Sequence, residues 1–268
     1  MQTRQSRDGA TIAFAVSGEG PALVLIHGTS ADHTRWAPVL PALERRFTVY
    51  AVDRRGRGQS SDGESYAIER EFEDATAVID SIGAPVFLLG HSYGAIVALE
   101  AAMRTSQVAK LVLYEPPIAL TRTTIEPPET IARLEALLQK GDRDAVVSTF
   151  LREVAHVPPG ELEMIREAPS WKARVAAAHT IPREERGANE YRFPSSPRIA
   201  LVRMPTLLLL GGDSPPFLRD PTMLLQAALP SATLSVMPGQ QHVAMNSAPE
   251  LFAREVIGFL APAHAQAR

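Results

Sequence analysis

Short apolar runs alternate with amphipathic stretches through the first 115 residues of the chain. The runs of strand length are Ala22–Ile26, Phe47–Val52, Val86–Leu89 and Val108–Tyr114. Before them, Thr11–Ser17 and the turn residues Gly18–Pro21 predict a hairpin. Between the runs the apolar residues follow helical spacing, most clearly over 68–82. Continuous apolar strands that alternate with helices predict a parallel sheet covered on both faces.

The pattern changes after Glu115. Residues 116–200 hold helical segments interrupted by prolines, and no apolar run there predicts a buried strand. The strand pattern returns at Thr206–Leu210 and Thr233–Val236, and a final amphipathic helix covers 249–260. We therefore expect an α/β core over 1–115 and 201–268, with a helical cap, or lid, over 116–200 inserted after the sixth strand.

Composition and charge exclude several classes of protein. The chain has 268 residues, 45% of them hydrophobic and 21% charged, which is ordinary for a globular protein. The formal charge of −3 argues against an electrostatic nucleic-acid binder. The absence of cysteine excludes disulfides, thiolate metal sites and cysteine nucleophiles. Residues 1–10 show no signal-peptide pattern and no apolar run approaches membrane length, so we expect a cytoplasmic protein without membrane partners.

The strongest chemical signal is the string Gly90-His91-Ser92-Tyr93-Gly94. A G-x-S-x-G string arises by chance in roughly one chain in ten of this length, and alone it indicates only a loop serine. Here an apolar strand precedes the string and a good helix follows it. Strand, tight turn and helix is the setting of a nucleophile elbow, in which the two glycines leave room for a strained turn that exposes the serine hydroxyl.

A serine hydroxyl needs a base to take its proton. His242 follows the last predicted strand in Met237-Pro238-Gly239-Gln240-Gln241-His242, and a loop there reaches the same sheet edge as Ser92. His27 follows the first buried strand and is more typical of a structural histidine that braces its loop. The other histidines show no metal-ligand spacing, so we expect neither a metal site nor a cofactor.

Taken together, these motifs resemble the α/β-hydrolase family with an inserted cap. The matching residues, in family order, are His27-Gly28, Asp53–Ser60 as D-R-R-G-x-G-x-S, the elbow at 90–94, and Gly239–His242. The resemblance implies an α/β-hydrolase fold with a mostly parallel central sheet flanked by helices. It also implies a nucleophilic Ser92, with His242 as general base and then general acid. Finally, it implies an oxyanion hole formed by the backbone N–H groups of Thr29 and Tyr93.

The acid member of the triad has two candidates. Most relatives carry the carboxylate three residues after the glycine that ends the penultimate strand, but counting from Gly211 reaches Ser214. Asp213 lies one residue early, where its side chain could instead cap a turn. Glu115 directly follows the strand that ends at Tyr114, and some branches of the family place their acid there, although it could instead brace the cap. The serine at the usual position favours Glu115, with Asp213 as the alternative.

This set of groups predicts acyl transfer on a small-molecule substrate. We expect a serine esterase acting on a carboxylic ester, lactone or thioester of small to medium size. Relatives that perform haloalkane dehalogenation or epoxide hydrolysis use an aspartate at the elbow, so Ser92 excludes those reactions. Three alternatives stay open: a C–C bond hydrolase of diketones, a peroxide-dependent perhydrolase, and a non-catalytic ligand-binding protein. The sequence does not predict the oligomeric state.

Overall fold

A mixed sheet of eight strands forms the centre of the molecule. The computed structural model describes residues 1–119, 125–157, 159–192 and 196–261. The strands are β1 (Gln2–Gln5), β2 (Thr11–Ser17), β3 (Ala22–Ile26), β4 (Thr48–Val52), β5 (Val86–His91), β6 (Val108–Tyr114), β7 (Thr206–Gly211) and β8 (Ala232–Met237). Their spatial order is β1-β2-β4-β3-β5-β6-β7-β8. The strands from β3 to β8 run parallel, so their carboxyl ends meet along one edge of the sheet.

The predicted hairpin between β2 and the strand after it is wrong. Strand β2 pairs antiparallel with β1 and β4, whereas β3 pairs with β4 and β5. Four of the five residues of β3 are buried, which is typical of an interior strand covered on both faces. Strand β3 therefore takes a central place, and β4 lies between it and β2.

Twelve α-helices lie in the described residues. They are α1 (Leu40–Leu43), α2 (Ile68–Ile82), α3 (Tyr93–Ala102), α4 (Pro128–Gln139), α5 (Arg143–Thr149), α6 (Pro159–Glu167), α7 (Trp171–Ala176), α8 (Thr180–Glu190), α9 (Ser196–Ile199), α10 (Pro216–Ala228), α11 (Ala244–Ser247) and α12 (Pro249–Leu260). Apolar side chains of α2 and α3 pack on one face of the sheet, and those of α1 and α12 pack on the other. The predicted α/β architecture is thus confirmed.

Helices α4 to α9 separate β6 from β7 and have an apolar cluster of their own. That cluster joins Leu134, Val146, Phe150, Leu162 and Ile181, and it is distinct from the two clusters that hold the sheet. The division into a core and a cap over 116–200 stays a prediction. Within the predicted cap, residues 120–124, 158 and 193–195 lie outside the described residues, and within the predicted core residues 262–268 do. No helix in the described ranges is both long and apolar enough to cross a membrane.

The crossing between β5 and α3 is the tightest part of the core. All ten residues of α3 are buried. A Cβ atom at Gly90 would lie 2.3 Å from the carbonyl oxygen of Gly94, and one at Gly94 would lie 2.4 Å from the carbonyl oxygens of Ile26 and His27. These neighbours are backbone atoms that cannot move aside alone, so both positions require glycine.

Replacing Gly94 should therefore be costly. We expect Gly94→Ala to lower the free energy of unfolding by about 3 kcal/mol, the upper end of the usual cost of overpacking, because the added methyl group meets backbone oxygens. The matched control is Gly258→Ala in α12, where an added Cβ meets no atom within 4 Å. A helical alanine there should stabilise the protein by about 0.5–1 kcal/mol. Urea unfolding measures both, and equal values for the two variants would contradict the tight crossing.

Candidate active site

Ser92 lies at the sharp turn between β5 and α3, at the carboxyl edge of the sheet. Its backbone has φ 56° and ψ −128°, a conformation that L-residues rarely adopt. The Ser92 N–H donates to the carbonyl oxygen of Tyr114 at 2.8 Å, which ties the turn to the end of β6. A strained turn held in this way keeps the serine at the surface of a cavity, which it lines together with His242.

The loop after β3 packs directly against Ser92. A Cβ atom at Gly28 would lie 2.9 Å from the Ser92 Cβ, so only glycine allows this approach. The ring of His27 braces the loop, since its Nδ1–H donates to Gly28 O at 2.8 Å and its Nε2 accepts from Arg54 N at 3.2 Å. Burial, followed by the nearby Arg54, lowers the pKa of His27 well below its usual value, so the ring is neutral.

Two backbone N–H groups beside Ser92 have no acceptor in the described part of the chain. They belong to Thr29 in this loop and to Tyr93, the first residue of α3. Both residues line the cavity with Ser92. The first N–H groups of a helix have no partner inside the helix, and they attract negative charge. The two N–H groups named from the sequence are therefore available to an anionic oxygen.

The imidazole of His242 contacts Glu115, not Asp213. Its Nδ1–H donates to Glu115 Oε2 at 2.6 Å. The Glu115 side chain is fully buried, and its backbone has φ 48°, so the carboxyl group is held at the end of β6 in a strained conformation. Its other oxygen, Oε1, accepts from Gly211 N at 2.7 Å and from Ser214 Oγ at 2.5 Å.

Asp213 lies away from this contact. Its side chain is exposed, and its carboxyl group makes no hydrogen bond or ion pair with the residues that the structure describes. The backbone N–H of Asp213 donates to Gln240 O at 2.9 Å, which joins the turn after β7 to the loop after β8. Ser214, at the position where relatives carry the acid, instead donates to Glu115.

His91 and Tyr114 hold the loop that carries His242. The His91 Nε2–H donates to the carbonyl oxygen of His242 at 2.8 Å, and the two rings lie 4.6 Å apart, centroid to centroid. Burial, followed by the His242 ring, lowers the pKa of His91 well below its ordinary value, so His91 is a neutral donor. The Tyr114 hydroxyl donates to Gln241 O and accepts from Ala244 N at 3.1 Å.

Ser92 and His242 share the cavity but are not hydrogen-bonded to each other. The neighbouring His91 connects their backbones, since it precedes Ser92 in the chain and binds the carbonyl group of His242. Hydrogen bonds between a nucleophile and its base are often long before a substrate binds. The arrangement brings together Ser92, His242, Glu115 and the two N–H groups, and it leaves out Asp213.

The cavity above Ser92 has a volume of about 770 Å³. Apolar side chains from the inserted helices and α10 line much of it, including Phe150, Leu151, Val154, Ile165 and Phe217. Arg174 of α7 joins the inserted helices to the loop after β3, since its Nη1 donates to the carbonyl oxygen and the hydroxyl of Ser30 at 2.7 and 2.9 Å. Of the described residues, no group of three or more His, Asp or Glu side chains could hold a metal ion.

The loop Asp53–Ser60 is a structural element. Arg54 lies 2.7 Å from Glu71 and 3.1 Å from Glu184, and Arg57 also binds Glu184. Burial works against the ionised form, but Arg54 and Arg57 together hold the pKa of Glu184 below its ordinary value. This buried network connects the loop after β4 to α2 and to α8 of the inserted helices.

Sequence reasoning missed helix α8 and three charged residues of the cavity, Glu126, Arg174 and Glu185. The sequence of α8, TIPREERGANE, is polar and contains proline and glycine, so it shows no apolar stripe. Its buried residues include several polar ones, among them Glu184, Glu185 and Asn189. Two adjacent glutamates next to arginines predict a solvent-exposed surface, and only the fold shows that these glutamates are buried.

Comparison with known proteins places the chain in a family. A family model described as "Alpha/beta hydrolase family" matches residues 23–255. An uncharacterized hydrolase of Bacillus subtilis (strain 168), YraK, is 31% identical over 116 residues, which are 42% of this chain and 43% of that protein. The chain thus matches less than half the length of this curated relative.

Solved structures match over nearly the whole chain. An alpha/beta hydrolase from Sphaerobacter thermophilus DSM 20745 is 37% identical with a TM-score of 0.83, and the match covers 96% of this chain and 99% of that one. The esterase RhEst1 from Rhodococcus sp. ECU1013 is 24% identical with a TM-score of 0.77, over 96% of this chain and 99% of its own. At that identity the second likeness shows the fold alone.

Proposed function

Since the chain belongs to the alpha/beta hydrolase family, we propose that it hydrolyses small to medium carboxylic esters through an acyl-enzyme on Ser92. The observation that carries this proposal is the 2.6 Å hydrogen bond from His242 Nδ1 to the buried Glu115, in a cavity that Ser92 also lines. Lactones and thioesters, which react through the same acyl intermediate, belong to the same expected substrate class.

In the first half of the reaction, Ser92 Oγ attacks the ester carbonyl carbon while His242 Nε2 takes the hydroxyl proton. The negative charge that develops on the carbonyl oxygen is stabilised by the N–H groups of Thr29 and Tyr93, each worth about 3–4 kcal/mol in comparable sites. The tetrahedral intermediate then expels the alcohol, which leaves with the proton from His242. Ser92 keeps the acyl group.

In the second half, water repeats the same steps. His242 removes a proton from a water molecule, whose oxygen attacks the acyl carbon. Collapse of the second intermediate breaks the bond to Ser92 Oγ, which recovers its proton from His242, and the carboxylic acid leaves. Each cycle consumes one ester and one water and yields one acid and one alcohol.

Glu115 serves as the acid of this triad. A carboxylate on Nδ1 fixes the tautomer in which Nε2 is free to accept a proton, and it stabilises the imidazolium formed in both steps. Gly211 and Ser214 donate to Glu115 Oε1 and leave Oε2 for His242. Donors on one oxygen fix the carboxyl group so that the other oxygen faces the imidazole.

The inserted helices act as the cap that selects the substrate. They contribute Phe150, Leu151, Val154 and Ile165 to the lining of the cavity, which favours an apolar acyl or alcohol group. A volume of about 770 Å³ suits a substrate of modest size. The contact of Arg174 with Ser30 couples the cap to the loop that carries the Thr29 N–H.

The nucleophile can be tested by labelling and by a substrate panel. We expect a fluorophosphonate to label the wild-type protein at Ser92 and to leave Ser92→Ala unlabelled, as read by peptide mass spectrometry. On p-nitrophenyl esters, Ser92→Ala should lose at least about a thousandfold in kcat. Lactones and ring-cleavage diketones in the same panel separate ester hydrolysis from C–C bond hydrolysis. A folded wild-type protein that takes up no label would instead indicate a non-catalytic binding protein.

The acid can be assigned with two isosteric substitutions. Glu115→Gln should lower kcat by about 10⁴-fold, because the amide no longer holds the imidazole in the correct tautomer. Asp213→Asn should keep most of the activity, because the exposed carboxyl group of Asp213 makes no contact with His242. Steady-state kinetics on one p-nitrophenyl ester measures both, with circular dichroism as the check on folding. The opposite result would move the acid to Asp213.

A further inference from the structure

Two carboxyl groups in the cavity are not used by the proposed mechanism. Glu126 precedes α4 and Glu185 lies on α8, and both line the cavity that Ser92 and His242 line. Each side chain is only 7% exposed. Within the described residues, neither carboxyl group makes a hydrogen bond or an ion pair. A buried carboxyl group without a partner is costly, so this pair needs a physical explanation.

Three arginines around α8 already have carboxylate partners, and Arg174, which also lines the cavity, donates to Ser30 instead. The pairs are Arg54–Glu71, Arg57–Glu184 and Arg183–Asp62. These three cations and three anions balance one another. No net positive charge from this network compensates Glu126 or Glu185.

The fold fastens the segment that carries Glu126 to the helix that carries Glu185. Asn189, four residues after Glu185, lies on the same face of α8. Its Oδ1 accepts from the N–H groups of Ile125 and Glu126 at 2.8 and 2.9 Å, and its Nδ2 donates to the carbonyl oxygen of Glu126 at 2.7 Å. Three hydrogen bonds from one buried side chain thus fasten the backbone of Glu126 to the helix that carries Glu185. The pair is built into the cap.

Burial favours the protonated forms of both groups. It raises the pKa of Glu126 to about 7, and it raises the pKa of Glu185 well above its ordinary value, with Glu126 and Glu184 adding to the effect and Arg54 opposing it. A cation placed between the two groups would favour their ionised forms. The other titratable groups that line the cavity are Arg35, His91, Tyr93, His156, Arg174 and His242.

We propose that Glu126 and Glu185 form a subsite for a cationic group, so that the preferred ester carries an ammonium on its alcohol or acyl part. This inference rests on the proposed function of the same cavity. The apolar lining would take the hydrocarbon part of such a substrate, and the carboxyl pair would take its positive charge. Below about pH 7, where Glu126 is protonated, binding of the cation releases a proton, because a carboxyl group must ionise to accept it.

Two isosteric esters test the subsite. Butyrylcholine and 3,3-dimethylbutyl butyrate have the same shape, but only the first carries a positive charge. For the wild-type protein at pH 8 we expect kcat/KM to be at least about tenfold higher for butyrylcholine, which corresponds to about 1.4 kcal/mol. Glu126→Gln and Glu185→Gln should each reduce that preference severalfold, measured as the ratio of kcat/KM for the two esters.

The matched control is Glu190→Gln. Glu190 lies on the same helix but is exposed, so its substitution removes the same charge outside the cavity. It should keep the wild-type preference. A wild-type ratio of one, or a preference retained in both cavity variants, overturns the subsite.

The pH dependence of the same ratio adds a second readout. We expect the preference for butyrylcholine to grow as pH rises through about 7, because the ionised form of Glu126 binds the cation. Effects of pH on the shared catalytic steps cancel in the ratio of the two esters. A ratio that is flat from pH 5 to pH 9 contradicts the role of the carboxyl pair.

A binding measurement separates this inference from the proposed function. If the wild-type protein hydrolyses neither ester, the proposed function fails, and calorimetry with choline still decides the subsite. Choline should then bind the wild-type protein and Glu190→Gln, with proton release seen as a dependence of the heat on the buffer. Binding to Glu126→Gln and Glu185→Gln should be weaker, and equal binding to all four proteins overturns the inference.

Stability gives a check that needs no ligand. The raised pKa of Glu126 means that the native state holds a proton that the unfolded chain releases near its ordinary value of 4.5. The native state therefore loses stability as pH rises from about 4.5 to about 7. Glu126→Gln removes this loss, so its urea midpoint relative to the wild-type protein should be higher at pH 8 than at pH 4.5. A difference that does not change with pH contradicts the burial of an ionisable group there.

Discussion

The close packing of the β5–α3 turn against the loop after β3 is the constraint on which the rest of the site depends. Gly28, Gly90 and Gly94 have no room for a Cβ atom, and their nearest neighbours include backbone atoms of the same crossing. Because nothing there can yield, the turn holds Ser92 at φ 56° in a cavity that Thr29 and Tyr93 also line. A looser crossing would relax the serine backbone and separate it from both donors.

The same geometry explains how an acid can stand at the end of β6 instead of after β7. Strands β6 and β7 are parallel neighbours, so the residues that follow them lie at one sheet edge and reach the same imidazole. With Glu115 as the contact of His242, the position after Gly211 needs a donor to the carboxyl group instead of a second carboxylate. Ser214 supplies that donor at 2.5 Å. A serine in place of the usual aspartate is therefore a compensating feature, and it makes physical sense only together with Glu115.

The parts of the molecule that the sequence predicts are those set by local patterns. The apolar runs that became β3 to β8 and the elbow around Ser92 are determined by neighbours in the chain, and they were predicted close to their observed bounds. The place of β3 in the sheet was not predicted correctly, because strand order depends on the burial of both faces and not on the nearest turn. Helix α8 was missed for a related reason. Glu184 and Glu185 are adjacent in the sequence, yet Glu184 is paired with two arginines, whereas Glu185 lines the cavity and its carboxyl group has no ion pair with any residue that the structure describes.

The carboxyl pair has a cost that a purely structural explanation does not account for. Burying a carboxyl group without a hydrogen-bond partner costs free energy that an apolar side chain of similar size does not. If the cap needed only to close over an apolar pocket, Leu or Met at 126 and 185 would serve it better. Instead, both the oxygen and the nitrogen of the Asn189 amide form hydrogen bonds with the backbone of Glu126, which fasten it to the helix that carries Glu185. A position that is both unfavourable and firmly held is typical of groups that act on a ligand, because the ligand supplies the missing charge.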